Sequence, residues 1–170
     1  MIQIIETTDI RRLQQLASRC YMDAYKEIHS EEQNRFSFNE MYSTSSLRHQ
    51  FEELHSRFFI LHDGDSDQGY MAIYPIETAQ WMLDKLYLTP SSKGMGYGRM
   101  LVEHAIQFIR EAERTPFEVV LNVNRRNEAV AFYQHLGFEI TGSWDRTIAD
   151  GRWIMDGYEM RLTKQIAEPR

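Results

Sequence analysis

The sequence predicts a single mixed α/β domain built on one central sheet, and three observations carry that prediction. Runs of aromatic and β-branched residues, above all Phe58-Phe59-Ile60-Leu61 and Phe117 to Val123, read as buried strands. Other segments repeat their apolar residues at helical spacing, most clearly Gly98 to Arg114 with Leu101, Val102, Ala105, Ile106 and Ile109. The chain has 170 residues, 42% of them hydrophobic, which is enough for one substantial core in one domain over 1–170.

The elements follow in order. Ile2 to Glu6 reads as a short strand, after which Thr8 or Asp9 N-caps a helix to Tyr25 with Ile10, Leu13, Leu16 and Ala17 on one face. Lys26 to Thr44 is polar and acidic and gives no clear assignment. Leu47, Phe51 and Leu54 mark a helix over Ser46 to His55. Asp63 to Gly69 is turn chemistry joining Phe58–Leu61 to a hairpin partner at Tyr70 to Ile76. Gln80 to Leu88 is the next strand, and Thr89-Pro90 closes it. Thr115-Pro116 ends the long helix before the strand Phe117 to Val123. Asn127 then caps a helix that Gly137 terminates, and Phe138–Thr141 and Trp153–Leu162 complete the strands. The expected order is βαα, three strands, then α-β-α-β-β: about six to seven strands with about four helices.

Composition excludes more than it identifies. Nineteen basic side chains against 25 acidic ones give −6, which argues against a nucleic-acid partner and hints at a cationic amine. Cys20 is the only cysteine, so an internal disulfide and a multi-cysteine zinc site are excluded; the six histidines show no metal spacing, and no metal is expected. The first residues turn polar too soon for a signal peptide, and no apolar run approaches the ~20 residues that span a bilayer. A cytoplasmic protein without a membrane partner is expected, with a homodimer left open.

The most informative segment is Leu86-Tyr87-Leu88-Thr89-Pro90-Ser91-Ser92-Lys93-Gly94-Met95-Gly96-Tyr97-Gly98-Arg99. A strand ends, a short loop carries three alternating glycines, and a helix begins. Glycines let backbone approach an anion, and loop N–H groups converge on it at the positive helix end, so a pyrophosphate is the natural guest. Rival motifs fit poorly: Arg99 follows Gly98 where a P-loop needs Lys-Ser/Thr, and the last glycine of a Rossmann fingerprint is missing.

Here the chain resembles the GNAT N-acetyltransferase superfamily, whose Gln/Arg-x-x-Gly-x-Gly/Ala signature aligns with Lys93-Gly94-Met95-Gly96-Tyr97-Gly98, Lys93 replacing the usual Gln or Arg. Asn122 to Phe138, containing Asn127, Ala131-Phe132-Tyr133 and Gly137-Phe138, is similar to the family's second cofactor block. The resemblance implies a GNAT fold whose fourth and fifth strands splay apart around acetyl-CoA, with the cofactor core over 80–140. It implies that Leu86 and Leu88 offer backbone groups to the pantetheine arm, with Tyr87 between them. Lys93, Gly94, Met95, Gly96, Tyr97, Gly98 and Arg99 would then surround the pyrophosphate. Asn127 either hydrogen-bonds the cofactor or caps its helix. A narrower likeness, carried by Leu83–Leu88, the aromatic-acidic helical region and Phe58-Phe59-Ile60, is to PaiA-type polyamine N-acetyltransferases.

The implied reaction is direct acetyl transfer to the primary amine of a small molecule or peptide. A lysine-like amine near pKa 10.4 costs about 4–5 kcal/mol to deprotonate at neutral pH, so a base or water relay is expected. Tyr133, at the family's tyrosine position, is the expected general acid toward the departing thiolate. Met82 falls where many members carry a base glutamate; Asp84, on the same strand face, is the expected base through water. Cys20 lies on the first helix with nothing nearby to lower its pKa, which disfavours an acyl-cysteine route. Asp23, Glu27, Glu31, Glu32 and Glu40 among Tyr21, Tyr25, Phe36, Phe38 and Tyr42 would suit a polyamine or other cationic amine, or simply form a solvated helix face. The alternatives are a non-catalytic acyl-CoA-binding domain and an acetyltransferase for a protein N-terminus or lysine.

Overall fold

The computed structural model describes residues 1–166. Its strands are β1 (Ile2–Thr7), β2 (Arg57–Asp63), β3 (Ser66–Glu77), β4 (Gln80–Leu88), β5 (Phe117–Val123), β6 (Glu139–Ile148) and β7 (Trp153–Lys164). Its helices are α1 (Ile10–Tyr25), α2 (Glu31–Tyr42), α3 (Thr44–Glu52), α4 (Tyr97–Glu113) and α5 (Ala129–His135). One seven-stranded sheet runs β1-β2-β3-β4-β5-β7-β6, antiparallel at every neighbouring pair except the parallel β4–β5.

Strand alternation divides the core between the two faces of this sheet. On one face Phe59, Leu61, Met71, Ile73, Leu83 and Leu121 pack against Leu101, Ala105 and Ile109 of α4 and Tyr133 of α5. On the other, Phe58, Ile60, Tyr70 and Ala72 meet Leu13, Leu16, Cys20 and Tyr21 of α1, with Tyr42 and Leu47 beyond. The cap of α1 is Asp9, whose carboxylate accepts from the Arg12 N–H at 3.0 Å.

Four expectations shift. The unassigned stretch contains α2, capped by Ser30, because its inward face is polar: Gln33, Asn34 and Ser37 are buried, so no apolar period marks it. The next helix starts earlier and ends at Glu52 instead of His55, capped by the Ser43 hydroxyl. The β2–β3 turn contracts to Gly64-Asp65, and Asp67 enters the strand, fixed by Arg12 at 2.7 Å and by His62 Nδ1 at 2.7 Å. Strand β6 excludes Phe138 and runs on to Ile148; it lies at the sheet margin, mostly exposed, so it needs no apolar alternation.

Candidate active site

Two irregularities of β4 create the site. Its pairing with β5 stops at Met82↔Val120, although β4 continues to Leu88 and β5 to Val123. Beyond that point β5 stays paired with β7, while β4 stays with β3, so the two neighbours splay. Just past the last pair, Ile73 faces Leu83 and Ala72 faces Lys85, which leaves Asp84 as the extra residue of a bulge. The bulge switches the alternation: Leu83, Leu86 and Leu88 all join the α4–α5 face, while Lys85 and Tyr87 turn to the α1–α3 face.

The glycine loop lies at the far end of β4. Gly94 and Gly96 have φ of +79° and +80°, the left-handed region where side chains are strained, with nothing crowding a Cβ at either. Gly96 is the N-cap of α4, and the first capping bond is from the Met100 N–H to the Gly96 carbonyl, leaving the Tyr97, Gly98 and Arg99 N–H groups free of intrahelical acceptors. Gly98 has a different reason: a Cβ there would lie 3.1 Å from the Phe132 ring, so it lets α5 close onto α4. The Tyr97 side chain turns away, its hydroxyl donating to Asp63 at 2.7 Å, and Arg99 pairs with Glu103 at 2.8 Å, so both meet the loop through backbone. Met95 is exposed, and buried Ser92 anchors the loop by hydrogen bonds with Thr89 and Gln68. Lys93 Nζ lies 3.1 Å from Asp23 of α1 and 4.0 Å from Glu128 before α5. Lys26, with Lys93 adding to it, holds the Asp23 carboxyl below its usual range against the effect of burial.

Tyr133 is buried between Phe132 and Phe138, with ring centroids 5.2 and 5.5 Å away. Burial, with Tyr25 nearby, pushes its phenol well above the ordinary value, so it keeps its proton at neutral pH. The Asn127 side chain accepts from the Ala129 N–H at 2.9 Å, which makes it a cap for α5. The Tyr25 hydroxyl meets that of Tyr87 at 3.0 Å, joining α1 to β4 at the splay. Asp84 is ion-paired with Lys85, whose buried ammonium also donates to Gln50 of α3 at 2.7 Å. Cys20 is buried in the α1 core and its thiol is pushed up to about 12 by burial, so it stays protonated.

Sequence reasoning missed a second cavity. A cavity of about 360 Å³ opens between α2 and the β6–β7 hairpin, with Phe36, Ser37, Glu40 and Met41 on one side and Arg146, Ile148 and Met155 on the other. Its floor is Tyr21, whose ring lies 4.8 Å from Tyr25 and 5.7 Å from Tyr87, so the cavity adjoins the splay through one layer of tyrosines. The aromatic-acidic composition of Tyr21 to Tyr42 was the signal; the hairpin half carried none. Most of the acids there are already engaged: Asp23 with Lys26 and Lys93, Glu31 with Arg35, and Glu32 with Arg152.

A splayed parallel strand pair ending in a glycine loop at a helix N-terminus defines a mixed α/β domain of one architectural class. The family profile described as an acetyltransferase (GNAT) domain matches residues 54–140, and the chain belongs to that family. The chain is 37% identical over 83 residues to the peptidyl-lysine N-acetyltransferase YjaB of Escherichia coli, a match covering 48% of each chain. It is 33% identical over 82 residues to the 5-NmdU N-acetyltransferase of Pseudomonas phage PaMx11, covering 48% of this chain and 55% of that one. The matched stretch thus spans about half the length of these relatives. In fold, the chain is similar to the PaiA N-acetyltransferase of Thermoplasma acidophilum, solved with coenzyme A, with a TM-score of 0.77 at 20% identity over 96% of this chain and 99% of that one. The ribosomal-protein-S18-alanine N-acetyltransferase of Escherichia coli gives 0.66 at 20% identity over 100% and 98%.

Proposed function

We propose that the protein is an acetyl-CoA-dependent N-acetyltransferase that transfers the acetyl group directly to a primary amine. The carrying observation is the splay of β4 from β5 after Met82↔Val120, ending in a loop whose left-handed glycines and free helix amides suit a pyrophosphate. The residues present fit the cofactor: a cleft with unpaired strand edges for a pantetheine arm, then N–H donors for phosphates. Leu86, Tyr87 and Leu88 line the arm; Lys93 to Arg99 hold the phosphates, chiefly through backbone. When bound, acetyl-CoA supplies the acetyl group as an activated thioester, exchanged for an amide as the thiol leaves.

The chain's own residues manage protons. Tyr133, a phenol neutral at pH 7 and held so more firmly by burial, donates to the leaving sulfur. Asn127 holds the start of α5, and with it Tyr133. Asp84, on the bulge at the vertex of the splay, takes the amine proton through water while Lys85 and Gln50 fix its position. The amine reaches this vertex from the cavity above Tyr21. Buried, protonated Cys20 leaves direct transfer in a ternary complex as the route.

Within this class the relatives point both ways, to peptidyl lysine and, in fold, to a PaiA enzyme. The polyamine reading loses support from the pairing of Asp23, Glu31 and Glu32, so the acceptor is an alkyl primary amine, lysine-like arms included. Thiol release from acetyl-CoA over a panel of lysine, diamines, spermidine and lysine peptides tests the proposal. Tight CoA binding by calorimetry with no turnover on any amine would turn the reading to a binding domain.

A further inference from the structure

Resting on the acetyltransferase reading, we infer that the acceptor is a diamino carboxylic acid, held by its zwitterionic end so that its distal amine enters the splay. The charge pattern of the cavity between α2 and the β6–β7 hairpin carries this inference.

Its two walls are pinned together in the free protein. Glu32 of α2 pairs with Arg152, the rings of Phe36 and Trp153 lie 5.6 Å apart, and the Gln33 amide donates to the Met155 sulfur at 3.1 Å. The cavity is therefore preformed, and at about 360 Å³ it suits a small molecule. Two charges line it, Glu40 on the α2 wall and Arg146 on the hairpin wall. Both are exposed, and neither forms an ion pair among the described residues; Arg146 is braced instead over the Trp144 ring, 5.1 Å from its centroid. Between them the surface is mainly apolar, with Tyr21, Phe36 and Met155 around the hydroxyl of Ser37.

One unpaired carboxylate and one unpaired guanidinium lining the same cavity match one ammonium and one carboxylate on the same guest. An α-amino-acid end satisfies both. Its alkyl arm then covers Tyr21, which leads to Tyr25 and Tyr87 at the splay. A spermidine-like guest puts further ammonium groups against Arg146 and leaves that guanidinium without a partner, so the pocket selects against it.

The test compares L-lysine and L-ornithine with cadaverine, putrescine and spermidine as acceptors for the full chain with acetyl-CoA, read as thiol release. Each amino acid should exceed the diamine of the same arm length by about tenfold in kcat/KM, the size of one charge-assisted contact. Arg146→Gln should erase most of that preference, and Glu40→Gln should lower kcat/KM for amino acid and diamine alike while leaving the ratio within about twofold. Diamines or spermidine used as well as the amino acids, or a preference that Arg146→Gln leaves intact, would overturn the inference while the acetyltransferase reading stands. If no amine releases thiol, that reading falls and this inference falls with it.

Discussion

Replacing Tyr133 with Phe separates chemistry from architecture at this site. The ring sits between Phe132 and Phe138 at 5.2 and 5.5 Å, and Phe keeps those contacts. Among the described residues no hydrogen bond to its hydroxyl shifts the phenol; burial does, with Tyr25 adding to it. Losing the hydroxyl should therefore change stability by less than about 0.5 kcal/mol, as for a substitution that breaks no partner. A positioned proton donor contributes about 10²–10⁴ in rate, so kcat should fall by at least about 100-fold, which is about 2.7 kcal/mol in the barrier. The KM for acetyl-CoA should change by less than about threefold, since an interaction made only in the transition state affects turnover and not binding. Initial rates of thiol release, a CoA titration and a thermal melt on the same preparation measure all three quantities. The pH profile gives an independent check. A phenol shifted upward by burial holds its proton more tightly, so loss of the acid in the parent should begin only above about pH 10. A Tyr133→Phe variant that melts like the parent and turns over within about twofold of it would remove the acid assignment.

The other predictions address the loop, the cysteine and the β2–β3 hairpin. Gly96→Ala should cost about 1–2 kcal/mol from its left-handed backbone alone, whereas Gly98→Val should cost about 1–3 kcal/mol by driving α5 off α4; denaturant unfolding measures both. Iodoacetamide at pH 8 should leave the native chain unmodified, because Cys20 is buried with its thiol pushed up to about 12, and Cys20→Ala should keep its turnover; mass spectrometry and the thiol assay read these. Arg12, with His62, holds the Asp67 carboxyl below its usual range, so the pair adds stability above about pH 4 that is lost as pH falls through the native value. Asp67→Asn should therefore cost about 1 kcal/mol at pH 7, and the difference should shrink below pH 4 in unfolding curves taken across pH.

Sequence patterns revealed the fold wherever burial was apolar. Gln80–Leu88 and Phe117–Val123 appear as strands with the expected bounds, since nearly every residue on their core face is a large hydrophobe. The pattern failed at α2, whose buried residues are Gln33, Asn34 and Ser37 with only Tyr42 beside them. There the Asn34 amide donates to the Tyr25 carbonyl at 3.0 Å and the Gln33 amide to the Met155 sulfur, bonds that a hydrophobic pattern does not show. A helix that buries polar groups against a cavity wall carries no hydrophobic stripe.

The glycine loop was legible for the same physical reason that it works: left-handed backbone demands glycine, and glycine shows in a sequence. The bulge on β4 was not. Strict alternation from Met82 puts Asp84 on the α1–α3 face but also Leu86 and Leu88, which in fact share the α4–α5 face with Leu83. Only an extra residue lets one strand turn Lys85 toward Gln50 and still present Leu86 and Leu88 behind the cofactor loop. That residue is Asp84, at the vertex where β4 leaves β5. The strand's departure from its period and its departure from its neighbour thus fall together, and the carboxylate assigned to the amine proton stands where they coincide.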